Sequence, residues 1–408
     1  MSNFIKKMSI LRDITLQIEK ELSKDEVILL VGSRQSGKTT ILHQIESQLK
    51  TDQKPSYFLN LEDPEYLALL NESPKNLFKI FSFDLKEKTF IFIDEVQYLK
   101  NPSNFLKYFF DEYRGKIKII ASGSSAFFLD RKFKDSLVGR KKIFTLRTLS
   151  FREFLRFKGE DDLLKKGLQN LALNEKEKVS FYYREFIIYG GYPKVVLSTL
   201  AEKENVLKDL AFSYIKKDIL EANIKQEELM FKLLRVLASQ VGGLVNLSEL
   251  ASTLGSSRNT IEEYLAILQR SFHIALISPL HTNLRKEITK MQKIYFLDLG
   301  LRNFLVKNFQ PYNERQDKGQ VLENAVFREL LNQNEREEIK FWRTVNKQEV
   351  DFVVNEKAFE VKATPKTQKT NSLKTFSEAY PNKKISFVSF DVSKKDLGNV
   401  PVLEPWEI

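Results

Sequence analysis

The sequence contains no cysteine and only three histidines in 408 residues. Without cysteine there is no disulfide framework, no thiolate zinc site and no thiol nucleophile, and three scattered histidines leave little for an imidazole metal centre. Any metal has to sit on carboxylates, hydroxyls or phosphates. Long apolar runs are missing as well: nothing reaches the roughly 18 uninterrupted apolar residues of a membrane span, and Lys6 and Lys7 are not followed by the apolar segment of a secretory signal. A cytoplasmic protein with no membrane partner is expected.

What is present is ample core material, 42% hydrophobic residues led by 32 Phe, in a length that suits two to four domains. Lys plus Arg number 65 against 54 Asp plus Glu, a net charge of +11. That balance is compatible with a polyanion such as nucleotide or nucleic acid, and equally with a lysine-rich surface that is merely solvated.

The first third alternates short apolar strands with helical stretches, the pattern of a parallel sheet flanked by helices. Strands are expected at Val27–Val31, Tyr57–Asn60, Phe90–Asp94, Ile117–Ser122 and Ile143–Leu146. From Ser150 the text turns helical and charged, through Lys165–Glu185 to a Gly190-Gly191-Tyr192-Pro193 break, with a further helix carrying Tyr214–Glu221. A compact helical series from Glu227 ends in a strand at Phe272–Ile277. The last section places a helix at Val321–Leu331 among strands at Ile339–Trp342, Val350–Val354, Ala358–Val361 and Ile385–Phe390, and Gln310–Lys318 reads as a linker.

Gly32-Ser33-Arg34-Gln35-Ser36-Gly37-Lys38-Thr39 follows the first strand and opens a helix expected near Thr40. This is the G-x-x-x-x-G-K-[ST] pattern in its required strand–loop–helix context. Glycines let the backbone N–H groups wrap a phosphate, the helix N-terminus adds positive potential, Lys38 reaches the outer phosphates and the Thr39 hydroxyl ligates Mg²⁺. Residues 32–40 are therefore the expected ATP contacts. Asp94 and Glu95, at the end of the strand expected at Phe90–Asp94, are expected to hold Mg²⁺ and to polarise the attacking water respectively. After the next strand comes Gly123-Ser124-Ser125, where Ser124, in preference to Ser122, is expected to contact the γ-phosphate or the water.

Phosphate loop, Asp-Glu strand, serine-bearing strand end and Gly139-Arg140 together resemble the AAA+ class of ATPases. Ser136-Leu137-Val138-Gly139-Arg140, Leu149-Ser150-Phe151-Arg152-Glu153-Phe154 and Tyr189-Gly190-Gly191-Tyr192-Pro193 are similar, more narrowly, to prokaryotic AAA ATPases that carry a domain of unknown function, DUF4143. The resemblance implies an α/β multidomain chain: a P-loop AAA+ parallel-sheet core (1–149), a helical lid (150–225), a winged helix-turn-helix (226–290) and a C-terminal restriction-endonuclease-like α/β domain (291–408). It implies an arginine-finger position for Arg140, acting on a neighbouring subunit of a homo-oligomer or within its own chain. It also implies that Pro193 packs near the adenine.

Leu247–Leu265 reads as helix, turn at Gly255 and a second helix capped by Ser256 or Ser257. Leu247, Leu250, Ala251 and Leu254 share one face, as do Ile261, Leu265 and Leu268, which is the helix-turn-helix arrangement. Arg258, Asn259 and Thr260 would reach double-stranded DNA, although Glu262 and Glu263 repel a backbone and the module also suits protein contact.

Near the end, Gln348–Val354 and Ala358–Lys362 read as a hairpin. With Glu356 and Lys357 as its turn, Asp351 lies opposite Lys362, and Glu360 shares their face. With Glu323 on the preceding helix the group resembles the PD-(D/E)xK nuclease core, able to bind a divalent metal or to serve as a buried ion cluster.

The leading expectation is an ATP-hydrolysing switch that acts on or near DNA. Its rivals are an ATP-regulated, metal-dependent DNA endonuclease and a non-hydrolysing, nucleotide-bound DNA or protein adaptor.

Overall fold

The computed structural model describes residues 10–123, 137–222, 224–281, 290–364, 371–390, 396–397 and 399–408. The chain forms two compact units, one of residues up to Arg147 with Arg270–Phe272, the other of Thr148–Gln269 and His273–Ile408.

The first unit is a five-stranded parallel sheet in the order β2-β3-β4-β1-β5. Its strands are β1 (Val27–Gly32), β2 (Ser56–Asn60), β3 (Thr89–Asp94), β4 (Ile117–Gly123) and β5 (Lys141–Leu146). Helix α1 (Asp13–Glu19) precedes β1, and α2 (Lys38–Thr51), α3 (Pro64–Glu72) and α4 (Pro102–Glu112) run between the strands. Every residue of β1, β3 and β4 is buried. This is why these strands read as largely apolar runs, with helices covering both faces of a parallel sheet; the exception is Lys118 of β4, whose buried ammonium donates to the Lys24 and Glu26 carbonyls. Val27, Leu29 and Val31 join one core with Ile91, Ile93 and Phe105; Ile28 and Leu30 join the other with Ile41, Leu42 and Phe92. Strand β5 begins two residues before the expected Ile143, because an edge strand tolerates the exposed Lys142 side chain.

The second unit begins with helices α5 (Phe151–Phe157), α6 (Leu173–Tyr189), α7 (Leu200–Glu221) and α8 (Glu227–Ser239). Gly167, with a positive φ, ends a short helix at Asp161–Lys166, so the expected continuous helix from Lys165 is broken there. Next come α9 (Leu247–Leu254), α10 (Arg258–Arg270), β6 (Ile274–Ile277) and β7 (Lys293–Phe296). β6 and β7 pair antiparallel, and Leu244, just ahead of α9, bridges to Lys293. After α11 (Leu299–Leu305) and α12 (Lys318–Gln333), a mixed sheet follows in the order β12-β13-β11-β10-β9-β8. Its strands are β8 (Lys340–Arg343), β9 (Glu349–Val354), β10 (Lys357–Val361), β11 (Lys384–Val388), β12 (Asp396–Leu397) and β13 (Val400–Leu403), with α13 (Asn371–Ala379) packed on β9.

The segment expected to be a linker, Gln310–Lys318, is instead packed. Tyr312 and Arg315 are buried, and Arg315 bonds to Asp317 (2.9 Å), the Asn303 side chain (2.9 Å) and the Asn308 carbonyl (2.8 Å). Polar composition was a poor guide here, because the buried Arg315 finds its partners in Asp317 and in Asn303 and Asn308 just ahead of the segment.

Candidate functional site

The phosphate loop leaves the C-terminal end of β1. A Cβ on Gly32 would lie 2.0 Å from the Leu146 carbonyl oxygen, so only glycine fits where β5 closes on the loop. Gly37, at φ 104, is the N-cap of α2, which starts at Lys38 rather than near Thr40. Lys38 is buried, and its ammonium donates to the Gly32 carbonyl (3.0 Å) and the Ser33 carbonyl (2.9 Å). The Ser36 hydroxyl also donates to Ser33 O (2.8 Å). Ser33, Arg34 and Ser36 are buried, whereas Gln35, Thr39 and Thr40 are exposed.

Thr39 and Asp94 come together: the hydroxyl donates to the carboxylate at 2.7 Å. Asp94, 2% exposed, also accepts from the Ser122 hydroxyl, and Ser122 in turn accepts from the Glu95 N–H (3.2 Å). Glu95 is held at φ 58 and receives a hydrogen bond from the Gln97 amide. Ser124 lies outside the described residues. Ser122 is thus a site residue that sequence reasoning passed over; its position directly beside β3, on β4, was the available signal.

A second residue passed over is Arg12. Its guanidinium donates to the Ser36 carbonyl (2.7 Å) and to the Arg147 carbonyl (2.9 Å), tying the phosphate loop to the end of β5. Nothing in the local sequence marks it.

Arg140 occupies the other end of this sheet. Its carbonyl accepts from the N–H of Val27, the first residue of β1, whereas the phosphate loop follows the last. Six strand residues separate the two ends, about 17 Å at roughly 3.3 Å per residue. The guanidinium pairs with Asp111 at 2.8 Å, lies 5.9 Å from the Phe110 ring centroid and helps line a surface cavity of about 580 Å³.

In the second unit, the Gly190-Gly191 break has a packing cause. A Cβ on Gly190 would sit 2.3 Å from Asp298 Oδ1, and one on Gly191 would sit 2.5 Å from Leu149 O. Asp298 accepts from the Gly191 N–H (2.9 Å) while capping α11 through the Leu301 N–H (3.0 Å). Pro193 opens a single helical turn, Pro193–Val196. In the helix pair, the Ser257 hydroxyl caps α10 by accepting from Thr260 N–H (3.1 Å), and Arg258 and Asn259 are exposed.

The C-terminal group assembles, with one correction. Val354 pairs with Lys357, so the turn is Asn355-Glu356, with Asn355 at φ 50. Continued along the ladder, that register sets Asp351 opposite Glu360, not Lys362; asparagine accepts the left-handed turn position, and moving the turn by one residue shifts the partner of Asp351 by two. Lys362 instead pairs with Glu360 at 2.7 Å. Asp351 accepts from the Val361 N–H (2.8 Å). The cluster also contains Lys293, which sequence reasoning did not single out. Its ammonium lies 2.6 Å from Glu349, 3.0 Å from Glu323 and 3.6 Å from Asp351. The Tyr295 hydroxyl donates to Glu323 (2.6 Å). Burial pushes Glu323 and Glu360 up to about 7 against the opposing pull of Lys293 and Lys362. Burial alone would lower Lys293, but Glu323, Asp351 and Glu349 outweigh it and hold the ammonium well above its ordinary value.

Comparison with known proteins yields three family matches. Residues 24–155 match an AAA domain, 180–312 a domain of unknown function (DUF8612) and 318–401 a domain of unknown function (DUF4143). Among full-length relatives, the uncharacterised protein MJ1544 of Methanocaldococcus jannaschii is 27% identical over 395 residues, 93% of this chain and 84% of that one. An uncharacterised protein of Haemophilus influenzae is 28% identical over 343 residues, 81% of this chain and 79% of its own. Among solved structures, the replication initiator DnaA bound to AMPPCP and single-stranded DNA overlaps 64% of this chain and 89% of its own, at 18% identity and a TM-score of 0.31. Among the described residues, no helix is long and apolar enough to cross a membrane.

Proposed function

We infer the function from a chain that belongs to the AAA+ class of P-loop ATPases and carries a DUF4143 domain: it is a nucleotide-driven switch that binds ATP with Mg²⁺ and hydrolyses it. The observation that carries this reading is the Thr39–Asp94 hydrogen bond, which joins a hydroxyl and a carboxylate of the right chemistry at the mouth of a glycine-gated loop. These are hard oxygen donors, suited to Mg²⁺. The loop N–H groups and Lys38 would hold the phosphates, with Lys38 exchanging its carbonyl partners for phosphate oxygens. Bound Mg²⁺ would supply charge neutralisation of the phosphates.

The chain's own residues account for the remaining work. Asp94, fixed by Ser122, holds one carboxylate oxygen toward Thr39. Glu95, held by its φ and by Gln97, is positioned to orient water. Arg140 is assigned to the nucleotide of a neighbouring subunit, since its place at the opposite end of β1 favours that over its own loop.

Two further elements support action on DNA. The order helix, bridge strand, helix, helix, hairpin from α8 to β7 supports a winged helix, in which Arg258, Asn259 and Thr260, at the start of the second paired helix, would meet DNA. The C-terminal sheet with Glu323, Asp351, Glu360 and Lys362 on adjoining elements supports a restriction-endonuclease-like fold. Fold likeness does not assign a reaction to it.

The deciding experiment is steady-state ATP hydrolysis with and without double-stranded DNA. Lys38→Ala should abolish nucleotide binding, and Glu95→Gln should retain binding while losing turnover. Hydrolysis that survives both substitutions unchanged would refute the site. Tight ATP binding without turnover in the wild type would favour the adaptor reading.

A further inference from the structure

The carboxylates that a nuclease core would devote to a metal ion already surround a cation. The Lys293 side chain, 2% exposed, projects from β7 to Glu323, Glu349 and Asp351. Two of those three, Glu323 and Asp351, belong to the expected metal set. An ammonium and a divalent ion both need these oxygens, and like charges exclude each other at such distances.

The remaining acceptor positions are largely filled. Glu323 also accepts from Tyr295, Asp351 from the Val361 N–H, Glu349 from Arg343 (2.5 Å) and Glu360 from Lys362. Glu360 Oε2 is buried without a hydrogen-bond partner, but a single oxygen does not make the six-oxygen shell of a hard cation. Among the described residues, no group of three or more carboxylate or imidazole side chains is arranged to hold a metal ion. Charge is also close to balanced: Glu323, Glu349, Asp351 and Glu360 stand against Lys293, Arg343 and Lys362, four against three.

We propose that the Lys293 ammonium is the resident cation of this cluster, taking the place a divalent metal holds in a nuclease core, so that the domain neither binds that metal nor cleaves DNA through it. The inference concerns the C-terminal domain alone and stands or falls independently of the ATPase reading.

The test is titration of the full chain, without nucleotide, with Mn²⁺, reading the free ion by electron paramagnetic resonance. Wild type and Asp351→Asn are expected to give superimposable curves, any binding at the phosphate loop being common to both. Lys293→Met keeps the side-chain length without the charge. It is expected to gain one Mn²⁺ site per chain, at least tenfold tighter than any wild-type binding there, and the double variant with Asp351→Asn is expected to lose it. A wild-type Mn²⁺ site removed by Asp351→Asn overturns the proposal, as does a folded Lys293→Met protein with no added site. If Lys293→Met does not fold, the comparison of wild type with Asp351→Asn decides alone.

Discussion

The Thr39 hydroxyl and the Asp94 carboxylate, 55 residues apart in sequence, meet at 2.7 Å where the first turn of α2 passes the end of β3. Asp94 is held from its other side by Ser122, and the Glu95 N–H is held by the same hydroxyl. One serine on β4 therefore orients both acidic residues.

Removing that hydroxyl should separate binding from turnover. In Ser122→Ala a buried carboxylate oxygen and a backbone N–H lose their shared partner, a loss of about 1–3 kcal/mol by the usual scale of unsatisfied buried groups. Nucleotide affinity, set mainly by the loop and Lys38, should change little. Turnover should fall about tenfold or more as Asp94 and Glu95 lose their alignment. Fluorescent-nucleotide titration beside steady-state hydrolysis checks this, and equal losses in both would show that Ser122 supports the fold rather than the alignment.

The position of Arg140 makes a prediction about mixtures. Its pairing with Asp111 lies at the start of β1, about 17 Å of strand from the loop that leaves its end. Acting on a neighbour, Arg140→Ala should be inactive alone and regain activity when mixed with Lys38→Ala, because some subunit pairs then combine an intact loop with an intact arginine. A mixture as inactive as its components would argue for action within one chain.

The parallel sheet was legible because strands covered on both faces are mostly apolar, and the phosphate loop because its glycines have no substitute, Gly32 where Leu146 approaches and Gly37 at its positive φ. Less legible were features set by tertiary contacts. Arg12 reaches the loop from ahead of α1 with no local pattern to announce it. Lys293 sits in the strand Lys-Ile-Tyr-Phe, where a lysine reads as an edge residue until Glu323, Glu349 and Asp351 are brought round it. The hairpin register turned on whether Asn355 or Glu356 began the turn, a one-residue choice that decides which side chain faces Asp351.

Glycine at position 300 is held by close approach rather than by backbone dihedral. An added Cβ would lie 2.1 Å from the Tyr189 carbonyl oxygen and 3.1 Å from Gly190 N, at the contact of α11 with the end of α6. Neither partner is a flexible side chain, so Gly300→Ala must push two helices apart. A loss of roughly 2 kcal/mol or more is expected, on the scale of overpacked cores. Thermal melting should show it, and an unchanged melting temperature would mean that the contact yields freely.

Glu329 on α12 predicts a pH dependence whose sign is opposite to that of an ordinary paired carboxylate. Burial pushes it up to about 7, only partly opposed by Arg328, and its Oε1 is buried with no hydrogen-bond partner. In the unfolded chain the same group titrates near 4.3. Between these values the folded state keeps a proton that the unfolded state has lost, so stability falls as pH rises from about 4.5 to 7. The whole penalty, up to about 4 kcal/mol for this shift, is present above pH 7 and absent below about 4. Glu329→Gln mimics the neutral acid at all pH values and should remove this slope. Chemical denaturation of both proteins from pH 5 to 8 should therefore find the variant gaining on the wild type with rising pH. A difference that stays constant across that range would show that Glu329 titrates alike in both states.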